Sequence, residues 1–530
     1  MPRTPLFRAL RHVAAGRHPN RGTFLRAAGL ATLGAAAIPQ LVACGSSPAR
    51  GREKVVIVGA GIAGLVTAMR LRDAGIDATV YESSSRVGGR MHSERAYWND
   101  GQHTEWCGAM VDTLHVNMHR LAKRFGLALL DTIAPRPPHS RDTCYIDGRY
   151  YPMADADRDF AKIYPIMQAQ LGKLDDLTTY ASATPEARRL DAMSLHDWVV
   201  KYVPGGSTSQ LGRLIEVAYW NEYGRTAQEL SAVNLVVQLG EQRHYRSNHE
   251  MNVLGSSDQK YIFAAGSQSL PEAIAKWLPA GSITFGRRLA AINRRPAGSY
   301  ELTFDAGGGK TEKVRADRVV LAIPFIVLRG VDYSGAGFDA AKTRAIDELG
   351  YGYHTKLHLQ FDRRAWMPRG RWPEPTSGQI WTTLPSQSAL DFSLGQPGRD
   401  GLIEVFTAGP AVDTPPIPYA RIEDSDAVRR HVRDYFQQLD KIWPGVSPAW
   451  NGKATLGNAQ ADPNILASYS CWLVGQCTTI AGHEPLPQGR VHFAGEHTSM
   501  ANQGFMEGGA ESGFRAAGEI LDAYRVKPVG

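Results

Sequence analysis

Gly59, Gly61 and Gly64 stand at G-x-G-x-x-G spacing, and an acid, Glu82, follows about 20 residues on. Residues of these types at this spacing do binding chemistry: they hold the pyrophosphate and ribose of a dinucleotide. Gly59 allows a tight turn, Gly61 lets the backbone approach a pyrophosphate, and Gly64 lets a helix settle on a strand. Glu82 can accept hydrogen bonds from ribose hydroxyls. The elements that must position them are legible on either side. The β-branched run Val55-Val56-Ile57-Val58 feeds the turn, and Leu65, Ala68, Met69 and Leu71 recur at helical period until Gly75. Ala78-Thr79-Val80-Tyr81 predicts a second strand that delivers Glu82. The helix start then presents free N–H groups and a positive dipole end to the phosphates.

Arg86-Val87-Gly88-Gly89-Arg90 follows almost at once. Together with Glu82 it resembles the "E…R-x-G-G-R" signature of the flavin-containing amine oxidase superfamily, which includes the monoamine, polyamine and L-amino-acid oxidases. The resemblance implies FAD as cofactor, with Arg86, Gly89 and Arg90 lining its pyrophosphate and flavin. It also implies the fold class: an α/β, amine oxidase-like protein with a Rossmann-like FAD-binding domain of the two-dinucleotide-binding-fold type and an inserted mixed-sheet and helical substrate domain.

Further stretches are similar to the same family. His103-Thr104-Glu105-Trp106-Cys107-Gly108-Ala109-Met110-Val111 resembles the run whose Gly-Ala backbone lies against the flavin, which assigns Gly108 and Ala109 there. Venom-type L-amino-acid oxidases carry a carboxylate-clamping arginine after the methionine, where this chain has Val111. A buried α-carboxylate would lose its bidentate partner, which favours amines over amino acids. His115 and His119 are four apart with no third ligand at metal spacing, so they read as a solvated helix face, and no metal is expected. Ile283 to Ile292 resembles the strand whose backbone meets adenine, putting Leu289 at that contact, and Tyr300–Phe304 with Lys310–Val314 around three glycines predicts a hairpin.

Lys356, alternating with Leu357, Leu359 and Phe361, faces the opposite side of its strand from them. It looks like the family lysine that holds a water against flavin N5, its charge favouring reduction of O2. Ser468-Tyr469-Ser470-Cys471-Trp472 resembles the stretch that supplies one aromatic wall of the substrate cage, assigned to Trp472; covalent flavin attachment through Cys471 stays open. Near the end, Phe493-Ala494-Gly495-Glu496 and Gly504-Phe505-Met506-Glu507-Gly508-Gly509 resemble the second FAD motif. Gly495 ends a strand, Glu496 reaches a ribityl hydroxyl, Phe505 is the second cage wall, and the helix from Met506 aims its dipole at the flavin pyrimidine edge.

The implied function is oxidative deamination of a primary or secondary amine to an imine and then an aldehyde, with hydride passing to flavin N5 and O2 reoxidising the flavin to H2O2. Lys356, Trp472 and Phe505 are the catalytic-site residues, and Asp112 and Glu222 are candidates for a distal ammonium. An L-amino-acid oxidase, a desaturase or dehydrogenase of the same fold, and a non-catalytic FAD-binding protein are the alternatives. The expected partners are a small-molecule amine and O2, with a homodimer left open.

The N-terminal segment has a different task. Residues 1–43 hold six arginines and no acid, and an Ala-rich apolar stretch leads to Leu41-Val42-Ala43-Cys44, which resembles a bacterial lipoprotein cleavage site. A signal peptide over 1–44, export to the periplasm and a lipid anchor at Cys44 follow. Asn20 to Leu25 resembles a twin-arginine motif with Gly22 in place of the second arginine, so the export route stays open. Removing six arginines from the formal +7 leaves +1, which gives no support for nucleic-acid binding. After a linker at 45–52, the expected parts are FAD-binding at 53–115, 261–330 and 456–530, a helical/substrate part at 116–260 and substrate-domain sheet at 331–455. Cys107, Cys144, Cys471 and Cys477 have no metal-ligand spacing, and their pairing is open.

Overall fold

A computed structural model describes residues 53–525, apart from 243, 368 and 410–416. The expected signal peptide, the Cys44 anchor and the linker lie outside the described residues. A five-stranded parallel sheet runs in the order Val491–Phe493, Arg318–Leu321, Val55–Val58, Ala78–Tyr81, Ile283–Thr284. Its central strand Val55–Val58 is buried at every position, as an unbroken apolar run in a parallel sheet with both faces covered should be. Val55 and Ile57 face helix Ile62–Asp73, while Val56 and Val58 join the core beneath the antiparallel strands Arg288–Arg294, Tyr300–Asp305 and Thr311–Ala316. Tyr81 stacks on Phe304 at 4.5 Å across that second interface.

Helix Met506–Arg525 lies along Ile62–Asp73 at very short range. A Cβ on Gly509 would stand 2.6 Å from Ile62 Cγ2, and one on Gly513 would stand 2.5 Å from Ala63 O. The two ends of the described chain therefore meet in one layer. Small residues make the approach possible.

The second sheet has eight strands, ordered Tyr419–Arg421, Trp450–Asn458, His354–Phe361, Gly401–Ala408, Ser388–Asp391, Thr376–Thr382, Arg141–Ile146, Arg149–Tyr150. On His354–Phe361 the expected alternation holds. Leu357, Leu359 and Phe361 bury against Val428, Val432, Tyr435 and Leu439 of helix Asp426–Ile442. His354, Lys356, His358 and Gln360 take the other face. Residues 141–150, placed by sequence in the helical/substrate part 116–260, form two strands of this sheet. Their turn, Asp147 (φ 50°) and Gly148 (φ 80°), has both central residues left-handed, the hairpin chemistry of an Asp-Gly pair. Beyond them helices Met153–Leu171, Leu195–Tyr202, Gln210–Tyr223 and Ala232–Gly240 bury apolar residues at periods of three and four, among them Ile163, Leu195, Trp198, Leu214 and Ala218.

Candidate active site

The nucleotide end is built first by local geometry. Gly59 has φ +102°, and Gly64 is so close to it that a Cβ would stand 2.0 Å from Gly59 O. Gly61 caps helix Ile62–Asp73 with no side-chain hydrogen bond and no acid in the first turn, and a Cβ there would meet nothing within 4 Å. An uncapped helix start beside open space is what an anion with its own oxygens requires. The second glycine pair locks onto the first. Gly88 N donates to Ala60 O (2.9 Å), and a Cβ on Gly89 would come 3.6 Å from Gly61 Cα. Glu82 is fixed by Ala60 N (2.7 Å) on Oε2 and by Ser84 N (2.8 Å) on Oε1, so Oε2 keeps acceptor capacity for a ribose hydroxyl.

One cavity of about 300 Å³ runs from this end to the second sheet. Gly59, Gly61, Glu82, Arg86, Gly89, Arg90, Gly108, Ala109, Lys356, Gly495, Glu496, Phe505 and Met506 all line it, although they come from segments more than 400 residues apart. The open anion site, the ribose acid, the glycine-lined passage and the helix start at Met506 fit an extended dinucleotide with a flat ring at its far end. These residues would hold FAD.

Several assignments change. Glu496 is saturated: Oε1 accepts from Arg90 Nη1 (2.8 Å) and Ser470 N (3.1 Å), and Oε2 accepts from Ser470 Oγ (2.7 Å) and Gly504 N (2.8 Å). Burial alone would raise its carboxyl, but Arg90 beside it holds it below the usual carboxylate value. It braces the wall, and a ribityl hydroxyl would have to displace one of these donors. Leu289 does not line the cavity; it is buried in the core, paired across the ladder with Phe304. Val111 is fully buried with its backbone bridged to Tyr261, so it too stays away from the cavity wall. His115 is buried under Phe505 at 5.2 Å and is no solvated helix face.

Trp472 is the largest correction. It lines a separate small cavity with Val233, Asn234, Cys477 and Met500, its carbonyl accepting from Asn234 Nδ2 (2.8 Å). Tyr469, three residues earlier, lines the main cavity instead, lying against Gly504 beside Phe505. The strand Ser470–Cys471 pairs with Gly350–Tyr351, and that pairing sets which side chains turn inward. Cys471 is fully buried and also off the cavity, its thiol pushed up to about 12 by burial. All four described cysteines are free thiols.

Tyr469 ends a three-ring wall that sequence reasoning missed. His354 stacks on Phe406 (4.4 Å) and on Tyr469 (5.0 Å), and all three line the cavity. Burial pushes His354 down to about 3, so the ring is neutral. Asn221 O, 2.8 Å from Nε2, can only accept; Nε2 therefore carries the proton and Nδ1 accepts from Ser468 Oγ (2.8 Å). Glu222 and Tyr223, at the end of helix Gln210–Tyr223, line the cavity, whereas Tyr219 of the same helix is core. Removing the ring in Tyr469→Ala is expected to lower kcat/KM for the substrate at least about tenfold. Trp472→Ala is expected to leave kcat/KM nearly unchanged while costing about 3 kcal/mol of stability. Steady-state kinetics beside urea melts separate the two; equal kinetic losses would return Trp472 to the site.

Lys356 stands at the far end, 8% exposed, with Nζ 3.1 Å from both carboxylate oxygens of Glu404. Glu404 also meets His358 Nε2 at 3.1 Å, and His358 Nδ1 meets Thr455 Oγ1 at 3.1 Å. Burial would raise the Glu404 carboxyl, but Lys356 and His358 hold it low, so it is ionised. No sequence motif marks Glu404, since it meets Lys356 only through strand pairing.

The family described as "Flavin containing amine oxidoreductase" matches residues 62–521. Polyamine oxidase 5 of Oryza sativa subsp. japonica is 23% identical over 473 residues, covering 87% of this chain and 86% of that protein. An L-amino acid dehydrogenase of Synechocystis sp. is 23% identical over 491 residues, covering 88% and 94%. Among solved structures, cyclohexylamine oxidase from Brevibacterium oxydans IH-35A shares the fold with a TM-score of 0.73 at 18% identity, covering 89% of this chain and 100% of that one. With the family match spanning most of the chain and a cavity shaped for its cofactor, the chain belongs to the flavin-containing amine oxidoreductases, and is an FAD-dependent oxidoreductase acting on amines.

Proposed function

We propose that the enzyme oxidises a primary or secondary amine to an imine, which water hydrolyses to an aldehyde, with O2 as final acceptor and H2O2 as product. The observation that carries this reading is the charge of the cavity wall. Six carboxylates line it (Glu82, Asp112, Glu222, Glu404, Asp462, Glu496) against three cations (Arg86, Arg90, Lys356). Arg90 is committed to Glu496, Lys356 to Glu404, and Arg86 is held next to Glu82, Ser84 Oγ lying 2.8 Å from both Glu82 Oε1 and Arg86 O. Among the described cavity residues no cation is left for an α-carboxylate, while the acid excess concentrates cationic amines.

Bound FAD supplies the two-electron acceptor for the C–N bond. The chain supplies the rest. Phe505, Tyr469 and the His354–Phe406 stack offer flat apolar faces that orient the amine and exclude water. Lys356 is placed to hold a water by its ammonium. No side chain is assigned as base: an amine drawn in as its cation gives its proton to water, and the neutral form that is then oxidised needs none.

Purified holoenzyme assayed with a panel of amines and L-amino acids tests this by H2O2 release and by bleaching of the visible flavin band without O2. Amines are expected to exceed amino acids at least about 100-fold in kcat/KM. The reverse order would establish the amino-acid reading that the Synechocystis relative's name suggests, and bleaching without H2O2 in air would point to another acceptor.

We propose also that the chain is exported and tethered by a diacylated Cys44, two acyl chains being enough for stable anchoring. Cys44→Ala is expected to move the protein from the membrane to the soluble fraction; unchanged fractionation would refute the tether.

A further inference from the structure

The charged pair at the far end of the cavity has a construction that a solitary lysine would not need. Lys356, on strand His354–Phe361, lies directly across from Phe406, and His358, two residues on, lies across from Glu404 on Gly401–Ala408 and Thr455 on Trp450–Asn458. Glu404 therefore reaches Lys356 diagonally and His358 squarely, with both contacts at 3.1 Å. Glu404 is 3% exposed, and His358 and Thr455 are fully buried. Burial keeps His358 neutral, and Glu404 can only accept, so Nε2–H donates to the carboxylate and Nδ1 accepts from Thr455 Oγ1. Three adjacent strands thus hold one carboxylate in place.

We propose that Glu404 is a positioning residue that fixes the Lys356 ammonium and cancels its charge, so that the field the protein applies to bound FAD at this end of the cavity is set by the pair and not by the lysine. A lone buried ammonium in a low-dielectric wall would favour the negative charge that reduction adds to a flavin, and a lone carboxylate would oppose it. The intact pair does neither strongly. The inference rests on FAD occupying this cavity and not on which amine is oxidised.

The redox equilibrium of protein-bound FAD with a reference dye, read from the visible spectra of both, is the test. Glu404→Gln keeps the shape and removes the negative charge. Its FAD is expected to be easier to reduce, shifting the equilibrium at least tenfold, about 30 mV for two electrons. Lys356→Met leaves the carboxylate alone and is expected to shift the equilibrium at least tenfold in the opposite direction. The double variant is expected to return to within about threefold of the parent, because both charges are gone. If either single variant proves too unstable to hold FAD, the other still tests the sign. Shifts below twofold, or shifts of the same sign in both, would overturn the proposal. A protein that oxidises no amine yet shows opposed shifts would keep this inference and lose the substrate reading.

Discussion

A Gly64→Val chain is expected to fold without FAD and to purify colourless. The first atom any side chain adds at this position would stand 2.0 Å from Gly59 O and 3.2 Å from Ala322 Cβ. The carbonyl belongs to the turn that carries the open anion site, and a backbone atom cannot swing aside as a side-chain tip can. Either helix Ile62–Asp73 lifts from the strand or the turn distorts. Both destroy the alignment of the uncapped helix start with the cavity. Overpacking commonly costs about 1–3 kcal/mol where side chains can adjust, and more is expected here. Gly64→Ala should show the same defect in milder form. Gly75→Ala is the control: its φ is +78° but a Cβ would meet nothing within 4 Å, so it should cost about 1 kcal/mol and keep its colour. The ratio of visible to ultraviolet absorbance after purification in excess FAD reports the result. A yellow Gly64→Val protein would mean that the helix is not anchored as the structure has it.

Glu105→Gln is expected to make the protein more stable at pH 8 and to flatten its loss of stability between pH 5 and 8. Glu105 is 1% exposed and accepts from Ser93 Oγ, Ser267 N and Ser267 Oγ, each at 2.7 Å. Three donors favour the anion, but burial outweighs them and pushes the carboxyl up to about 7 from 4.5. Between those values the unfolded chain has released the proton and the folded chain keeps it, so stability falls as pH rises through the window and is level above it. At about 1.4 kcal/mol per unit the loss is about 3 kcal/mol. Glutamine keeps an acceptor for Ser267 N and has no proton to lose. Glu507, raised to about 7 by burial, adds a slope of the same sign in both proteins. The difference between variant and parent is therefore the measured quantity, from urea melts at pH 5, 6, 7 and 8. A constant difference across that range would show that Glu105 is not the titrating group. On the acid side Glu404 and Glu496 act with the opposite sign. Their folded values lie below 4.5, so what they contribute is present above it and lost as pH falls through their lower folded values.

The cradle for the nucleotide was legible because its parts are local. Strand, turn, helix and second strand occupy Val55 to Tyr81, and glycines at three fixed spacings state where the backbone must turn, approach and pack. The alternation around Lys356 likewise gave its face correctly, since the period of a strand is a property of the strand itself. The Asp147-Gly148 turn was equally local and was passed over inside the helical/substrate part.

Tertiary structure decided the rest. Tyr469 and Trp472 sit three apart in one short aromatic stretch, and only the pairing of Ser470–Cys471 with Gly350–Tyr351 turns the first toward the cavity and the second away. Glu404 carries no motif and stands 48 residues from Lys356; strand register brings them to 3.1 Å. The sequence by itself determined which cofactor the chain holds, because each half of that recognition, Val55 to Arg90 and Phe493 to Gly509, is a run of nearby residues. Which groups face the substrate and what charge they carry was settled by sheet pairing across distant segments, where a slip of one residue turns every side chain to the opposite face.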